Sequence, residues 1–301
     1  MIERLVSGQP LGPGAVALLS DMDRQAVTAF REAWPGIPLD TRREIITEAA
    51  LLEGQTIELD FERAFCVALD DSDAETRRNA AAGLLNSTNG EVGRKLMQLL
   101  DADRDAGVRR AAADGLRPFV LEREFGNVEE ANGDAMMRVL RHRVADAGED
   151  PEVRGRALAT LGTCSEPWVR PLIEEFYYHD DRVLRLAAVE AMGQSAQEEW
   201  LDFLFEQLES EDPDFRYEAA VACGEIGSEE AIEPLSMLFE DEEEGVAVAA
   251  VEAVGNIGGP AALKCLGALA ARAPEGLSDA IAIAMEVAGI VGGSSGEEED
   301  L

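Results

Sequence analysis

Asp212–Gly227 reads DPDFRYEAAVACGEIG, and the rest of the chain can be placed from it. Asp212 is a helix cap, and Pro213 stands at the first helical position, where its missing N–H costs nothing. Phe215, Ala219, Ala220 and Cys223 recur at three- and four-residue steps, so they share one helical face. Gly224 and Gly227 are expected to stop the helix. With Phe215 as position zero, an Arg follows at one, small apolar residues at four and five, and an apolar residue at eight.

The same frame fits at Thr76, Val108, Val153 and Leu184, with Arg77, Arg109, Arg154 and Arg185 at position one. At Val246 it fits with Ala247 in place of the Arg, and weaker copies begin at Thr41 and near Ala280. From Thr41 the anchors stand 35, 32, 45, 31, 31, 31 and 34 residues apart. A repeat of that length cannot bury a core alone and must stack on its neighbours. The expected fold class is therefore all-α, a solenoid of about seven to eight stacked antiparallel helix pairs. Residues 1–39 form a capping segment, 40–291 the solenoid, and 292–301 an acidic tail expected to be disordered.

Composition narrows the partners. The net charge of −35 argues against nucleic acid, whose phosphates require a basic footprint. It suits a partner with a basic surface as well as a solvated acidic exterior. No apolar run reaches membrane-spanning length, and the N-terminus lacks a basic flank before an apolar core. A cytoplasmic, monomeric protein is expected. Cys66, Cys164, Cys223 and Cys265 lack metal-ligand spacing and are expected to be small buried hydrophobes.

An acid stands three residues before each anchor: Asp73, Asp105, Asp150, Asp181, Asp212 and Glu243. These acids are expected to cap the helices and to meet the position-one Arg of a neighbouring repeat in a charge-assisted ladder. The repeated VRxxAxxxLG pattern after an acidic turn resembles HEAT-like repeats of the phycobilin-lyase type, over roughly residues 70–258. The resemblance implies a right-handed superhelix whose second helices line a concave binding face. It also implies scaffold and adaptor roles, with lyase subunits that attach bilins to Cys among the relatives. One relative branch is a di-iron hydroxylase needing paired His-Glu motifs. Here His142 precedes Arg143 and His179 precedes Asp180, so that activity is excluded.

Three departures from the frame mark candidate sites. About 12 residues are added within 118–133, PFVLEREFGNVEEANG, expected as a loop along one edge that carries Phe119 and Phe125. Nine of the 16 aromatics fall between Trp168 and Tyr217. Trp168 and Trp200 share one register there, and Tyr177 and Phe205 fall one position beyond core positions, towards the concave face, as interface anchors. Charge is also sorted along the second helices, with Arg138, Arg141 and His142 early and Glu174 and Glu206 later. No nucleophile with its base, phosphate loop or metal set is legible. The expected function is non-catalytic: a scaffold or adaptor without a cofactor that binds a protein or peptide. The alternative is a lyase-like or cofactor-maturation subunit.

Overall fold

In a computed structural model, residues 14–55, 58–272 and 275–294 are described. Every regular element among them is helical. Contacts divide the chain into two compact units, Met1–Ala157 and Leu158–Leu301. The proposed tail lies outside the described residues beyond Ser294, and helix Ser278–Ser294 runs into its start.

In the first unit, helices Ala74–Ala82 and Ala106–Gly115 carry the frame, and Gly90–Ala102 and Glu130–Ala145 are second helices. The frame works as its spacing implies. Ala80, Ala81, Leu84, Ala112, Ala113 and Leu116 are all buried. Asp73 and Asp105 cap by accepting from the N–H of Thr76 and Val108. The N-terminal helix Arg24–Ala33 is fastened to the repeats through the residue after it, where Trp34 Nε1 donates to Asp71 at 2.6 Å.

The Arg ladder exists, but its acids are not the caps. Arg42 bonds Asp71, Arg77 bonds Asp103 through two nitrogens at 2.7 and 2.8 Å, and Arg109 bonds Glu149 at 2.9 and 2.5 Å. In each case the acid lies one or two residues before the cap, and it also accepts the cap residue's own N–H. A cap carboxylate can bond an arginine as well, as Asp73 does with Arg43 at 3.0 and 2.7 Å, but that arginine is not the one at position one. Burial alone would raise the Asp103 carboxyl, but hydrogen bonds from Arg77 and the Asp105 N–H outweigh it and hold its pKa below the usual value. Glu149 behaves the same way under Arg109.

The second unit repeats the device at Arg216, which bonds Asp241 at 2.7 and 2.8 Å and Ser210 O at 2.9 Å. At Arg185 the acid is missing, because Ser210 stands two residues before the cap. Arg185 donates to the carbonyls of His179 and Asp180 instead. Arg182 takes over the carboxylate contact, reaching Asp212 at 2.7 and 2.9 Å. Glu243 makes no side-chain cap bond.

Gly224 does not stop its helix. Helix Pro213–Ile226 continues through it to Gly227, which adopts φ 74°. Gly224 is instead a seat for the next repeat: a Cβ there would stand 2.8 Å from Ala253 Cα. Gly193 meets Ala222 Cα at 2.6 Å in the same sense, and Gly255 meets Ala284 Cα at 2.9 Å. The last contact places the final anchor at Leu277, one 31-residue step after Val246, rather than at Ala280. Glu286 then occupies the seat position and is exposed, so the glycine series ends there.

Cys66, Cys164 and Cys223 are buried as expected, whereas Cys265 is half-buried. Burial pushes the Cys223 thiol up to about 12, consistent with an inert packing role. No helix among the described residues is long and apolar enough to cross a membrane.

Candidate functional site

The added segment of the first unit is a helix, not a loop. Leu116 ends the frame helix, and Pro118 enters near the start of helix Arg117–Glu124, where it is tolerated. This helix turns Phe119 and Val120 inward and leaves Leu121 and Phe125 exposed, four residues apart on one face. Phe119 can enter because Gly93 has no side chain; a Cβ there would lie 2.9 Å from the Phe119 ring. Gly126, at φ 75°, reverses the chain towards helix Glu130–Ala145.

Between this helix and the neighbouring second helices lies a cleft of about 160 Å³. Met97, Phe119, Val128 and Met136 supply apolar wall, while Arg94, Asn127 and Asn132 supply polar wall. Asn127 is held by Glu122 at 2.7 Å and Asn132 by Glu129 at 3.1 Å. Arg94 is exposed and makes no ion pair among the described residues, and the same is true of Arg138. Arg141 and His142 are exposed on the same helix as Arg138, whereas Arg143 is tied to Asp101 and Glu149.

In the second unit the aromatic cluster forms a connected stack rather than an open row. Tyr177 meets Phe203 edge-on at 5.2 Å, and Phe203 meets Trp200 at 5.6 Å. Tyr177 is buried, which corrects the expectation that it faces outward as an interface anchor; Trp200, named as a partner-binding candidate, is buried too, and Phe205 and Trp168 are half-buried. Phe203 draws Tyr177 inward, and its hydroxyl is satisfied there: it donates to Glu206 at 3.1 Å and accepts from Gln207 at 2.6 Å. Burial pushes the Tyr177 phenol up to about 12, with the Glu206 charge acting in the same direction against the Gln207 hydrogen bond. Glu174 is half-exposed and pairs with Arg170 at 3.1 Å. The exposed aromatics here are Tyr178 and Tyr217. Trp168 and Trp200 do share a register, each at the N-cap of its second helix, where Ala231 stands one repeat later.

The structure thus brings Phe119 together with Arg94, Met97 and Met136 in one unit, and Tyr177, Trp200 and Glu206 with Phe203 in the other. Met97 and Met136 carry no signal as site residues in the sequence, whereas Arg94 belongs to the basic early part of the second helices. The available signal was Gly93 at a position the helical pattern fills with an apolar side chain. Among the described residues no three His, Cys, Asp or Glu side chains are grouped to hold a metal.

Comparison with known proteins agrees with this architecture. The family model for HEAT repeats matches residues 138–210 and 201–286. The CpcE–CpcF complex of phycocyanin lyase from Nostoc sp. PCC7120 is similar at 20% identity and a TM-score of 0.55, covering 93% of this chain and 97% of that one. Human deoxyhypusine hydroxylase is more distant, at 19% identity and a TM-score of 0.38 over 92% of this chain and 99% of that one. Importin beta shows 16% identity and a TM-score of 0.47 over 91% of this chain and 44% of that one. No curated protein matches in sequence. Residues 138–286 match the family model for HEAT repeats, and the capped first helices and 31-residue step of that stretch agree with the match.

Proposed function

We propose that the chain is a non-catalytic adaptor that holds a partner protein at the added helix of its first unit. One observation carries this reading. The cleft walled by Met97, Phe119 and Met136 opens beside Arg94, a guanidinium left without an ion pair in a chain of net charge −35. The frame arginines of the first helices are mostly engaged by carboxylates or carbonyls, whereas Arg94 stands on a second helix with its guanidinium beside the apolar cleft. The exposed Leu121 and Phe125 add apolar contact on the same short helix. The complementary partner is a segment presenting an apolar side chain close to a carboxylate, which would pair with Arg94. The basic surface expected from overall charge would be met elsewhere on the acidic exterior.

The alternative, a lyase-like subunit, shares the fold of the CpcE–CpcF phycocyanin lyase, and that likeness does not choose between the two roles. The first-unit cleft, of about 160 Å³, suits a side chain or a short peptide stretch.

Photo-crosslinking tests the proposal. A benzophenone amino acid at position 125 or 97 should capture one and the same protein from the source cells, and Arg94→Glu should reduce the yield. Capture from position 217 alone would move the site to the other unit.

A further inference from the structure

Two neighbouring second helices of the second unit turn one face to solvent. Helix Leu201–Leu208 exposes Asp202 and Glu206, and Glu209 just past its end is exposed as well. Steps of four and three residues set these three on one side. One 31-residue step later, Glu233, Met237 and Glu240 repeat the row along Ile232–Ser236 and the 3-10 turn Met237–Glu240, all exposed. The two helices are in contact, so the rows lie side by side.

The five carboxylates of these rows lack an internal counterion. None makes an ion pair among the described residues, and only Glu206 has a side-chain bond, from the Tyr177 hydroxyl at 3.1 Å. From Leu201 to Glu240 there are 12 acids and one base, Arg216, which Asp241 already engages. The rows also have ends. On the preceding second helix Arg170 pairs with Glu174. On the following one Lys264 stands a step after Glu233, and Ala268 and Ala271 stand a step after Met237 and Glu240. The uncompensated acids of this face are thus gathered on two helices.

Apolar surface lies among them. Met237 is 77% exposed between Glu233 and Glu240. Tyr178 is 73% exposed and stands edge-on to Tyr177 at 5.0 Å. Because Tyr177 bonds Glu206, the Tyr178 ring borders the same face. Carboxylates without counterions attract cations, a thioether adapts to an apolar side chain, and an exposed ring receives a guanidinium or ammonium on its face.

We propose that this face docks a basic polypeptide segment in which Lys or Arg residues flank an apolar side chain. The cations pair with Asp202, Glu206, Glu209, Glu233 and Glu240, and the apolar side chain rests on Met237. The surface needs neither Arg94 nor Phe125, so it stands or falls separately from the first-unit cleft.

The test is fluorescence anisotropy of the full chain with the labelled peptide Arg-Lys-Leu-Arg-Lys, set against Arg-Lys-Gly-Arg-Lys of equal charge. The Leu peptide should bind several-fold more tightly, and Met237→Ser should remove that preference. Asp202→Asn with Glu209→Gln should weaken binding about tenfold at low salt. Glu229→Gln with Glu230→Gln removes the same charge from exposed positions outside the rows and should change binding less than about twofold. Should the Asp202 and Glu209 pair fail to fold, Glu233→Gln with Glu240→Gln takes its place. Equal losses inside and outside the rows would reduce the effect to net charge and overturn the proposal. So would the absence of a Leu preference, or one that survives Met237→Ser.

Discussion

A Cβ added to Gly224 would lie 2.8 Å from the Cα of Ala253, closer than real side chains come to backbone. The two first helices of adjacent repeats therefore touch through backbone, and only glycine permits it. Gly224→Val should cost about 1–3 kcal/mol in urea unfolding, since neither helix can retreat without disturbing the next pair. Gly267→Ala is the contrast, because its added Cβ meets open space inside helix Gly259–Ala270. That change should be neutral or stabilise by up to about 1 kcal/mol. Equal urea midpoints for the two variants would remove the close-approach explanation.

The ladder makes stability depend on pH in a defined direction. The folded-state pKa of Asp103 lies below its ordinary value, so its contribution is present above the unfolded pKa of about 3.9 and is lost as pH falls through the lower folded value. Asp103→Asn should cost about 1–3 kcal/mol at pH 7. The gap between wild type and variant should narrow steadily below about pH 4. A gap that stays constant down to pH 2.5 would show that the Arg77–Asp103 pair is not what Asp103 contributes.

Tyr177 is an interior residue with a satisfied hydroxyl. Tyr177→Phe should lose about 0.5–1.5 kcal/mol with little change in fold, whereas Tyr177→Ala should lose about 3–5 kcal/mol. Its raised pKa means the neutral phenol is favoured by folding. That stability is complete below pH 10 and declines as pH rises towards 12. Absorbance at 295 nm should show one of the three tyrosines titrating late, and its loss in Tyr177→Phe identifies it.

The repeat frame was legible because capping and 3.6-residue periodicity are local. Asp73, Asp105 and Asp212 cap where the sequence places them. Gly224 was misjudged because a glycine that ends a helix and one that seats a neighbour look alike along the chain. The difference lies in Ala253, a full repeat away. The position-one arginines meet acids one or two residues before the caps, which also accept the cap's own N–H, while the caps Asp73 and Asp212 take other arginines, Arg43 and Arg182.

The site was legible in outline only. Counting residues located the added segment, and its exposed Phe125 and buried Phe119 follow from the helix it forms. Tyr177, judged from register alone, was placed on the surface. Its contact with Phe203, from the next second helix, turns it inward. The role of Arg94 depends on what does not pair with it, which a linear pattern cannot display.

Affinity of the crosslinked partner for Asn132→Trp is the most direct test of the central claim. Asn132 lies at the wall of the first-unit cleft and is half-exposed, so a bulky ring there should obstruct the cleft while the melting temperature stays close to wild type. Binding should fall at least tenfold, about 1.4 kcal/mol. A well-folded Asn132→Trp chain that binds its partner with wild-type affinity would contradict the claim that this cleft is where the protein acts.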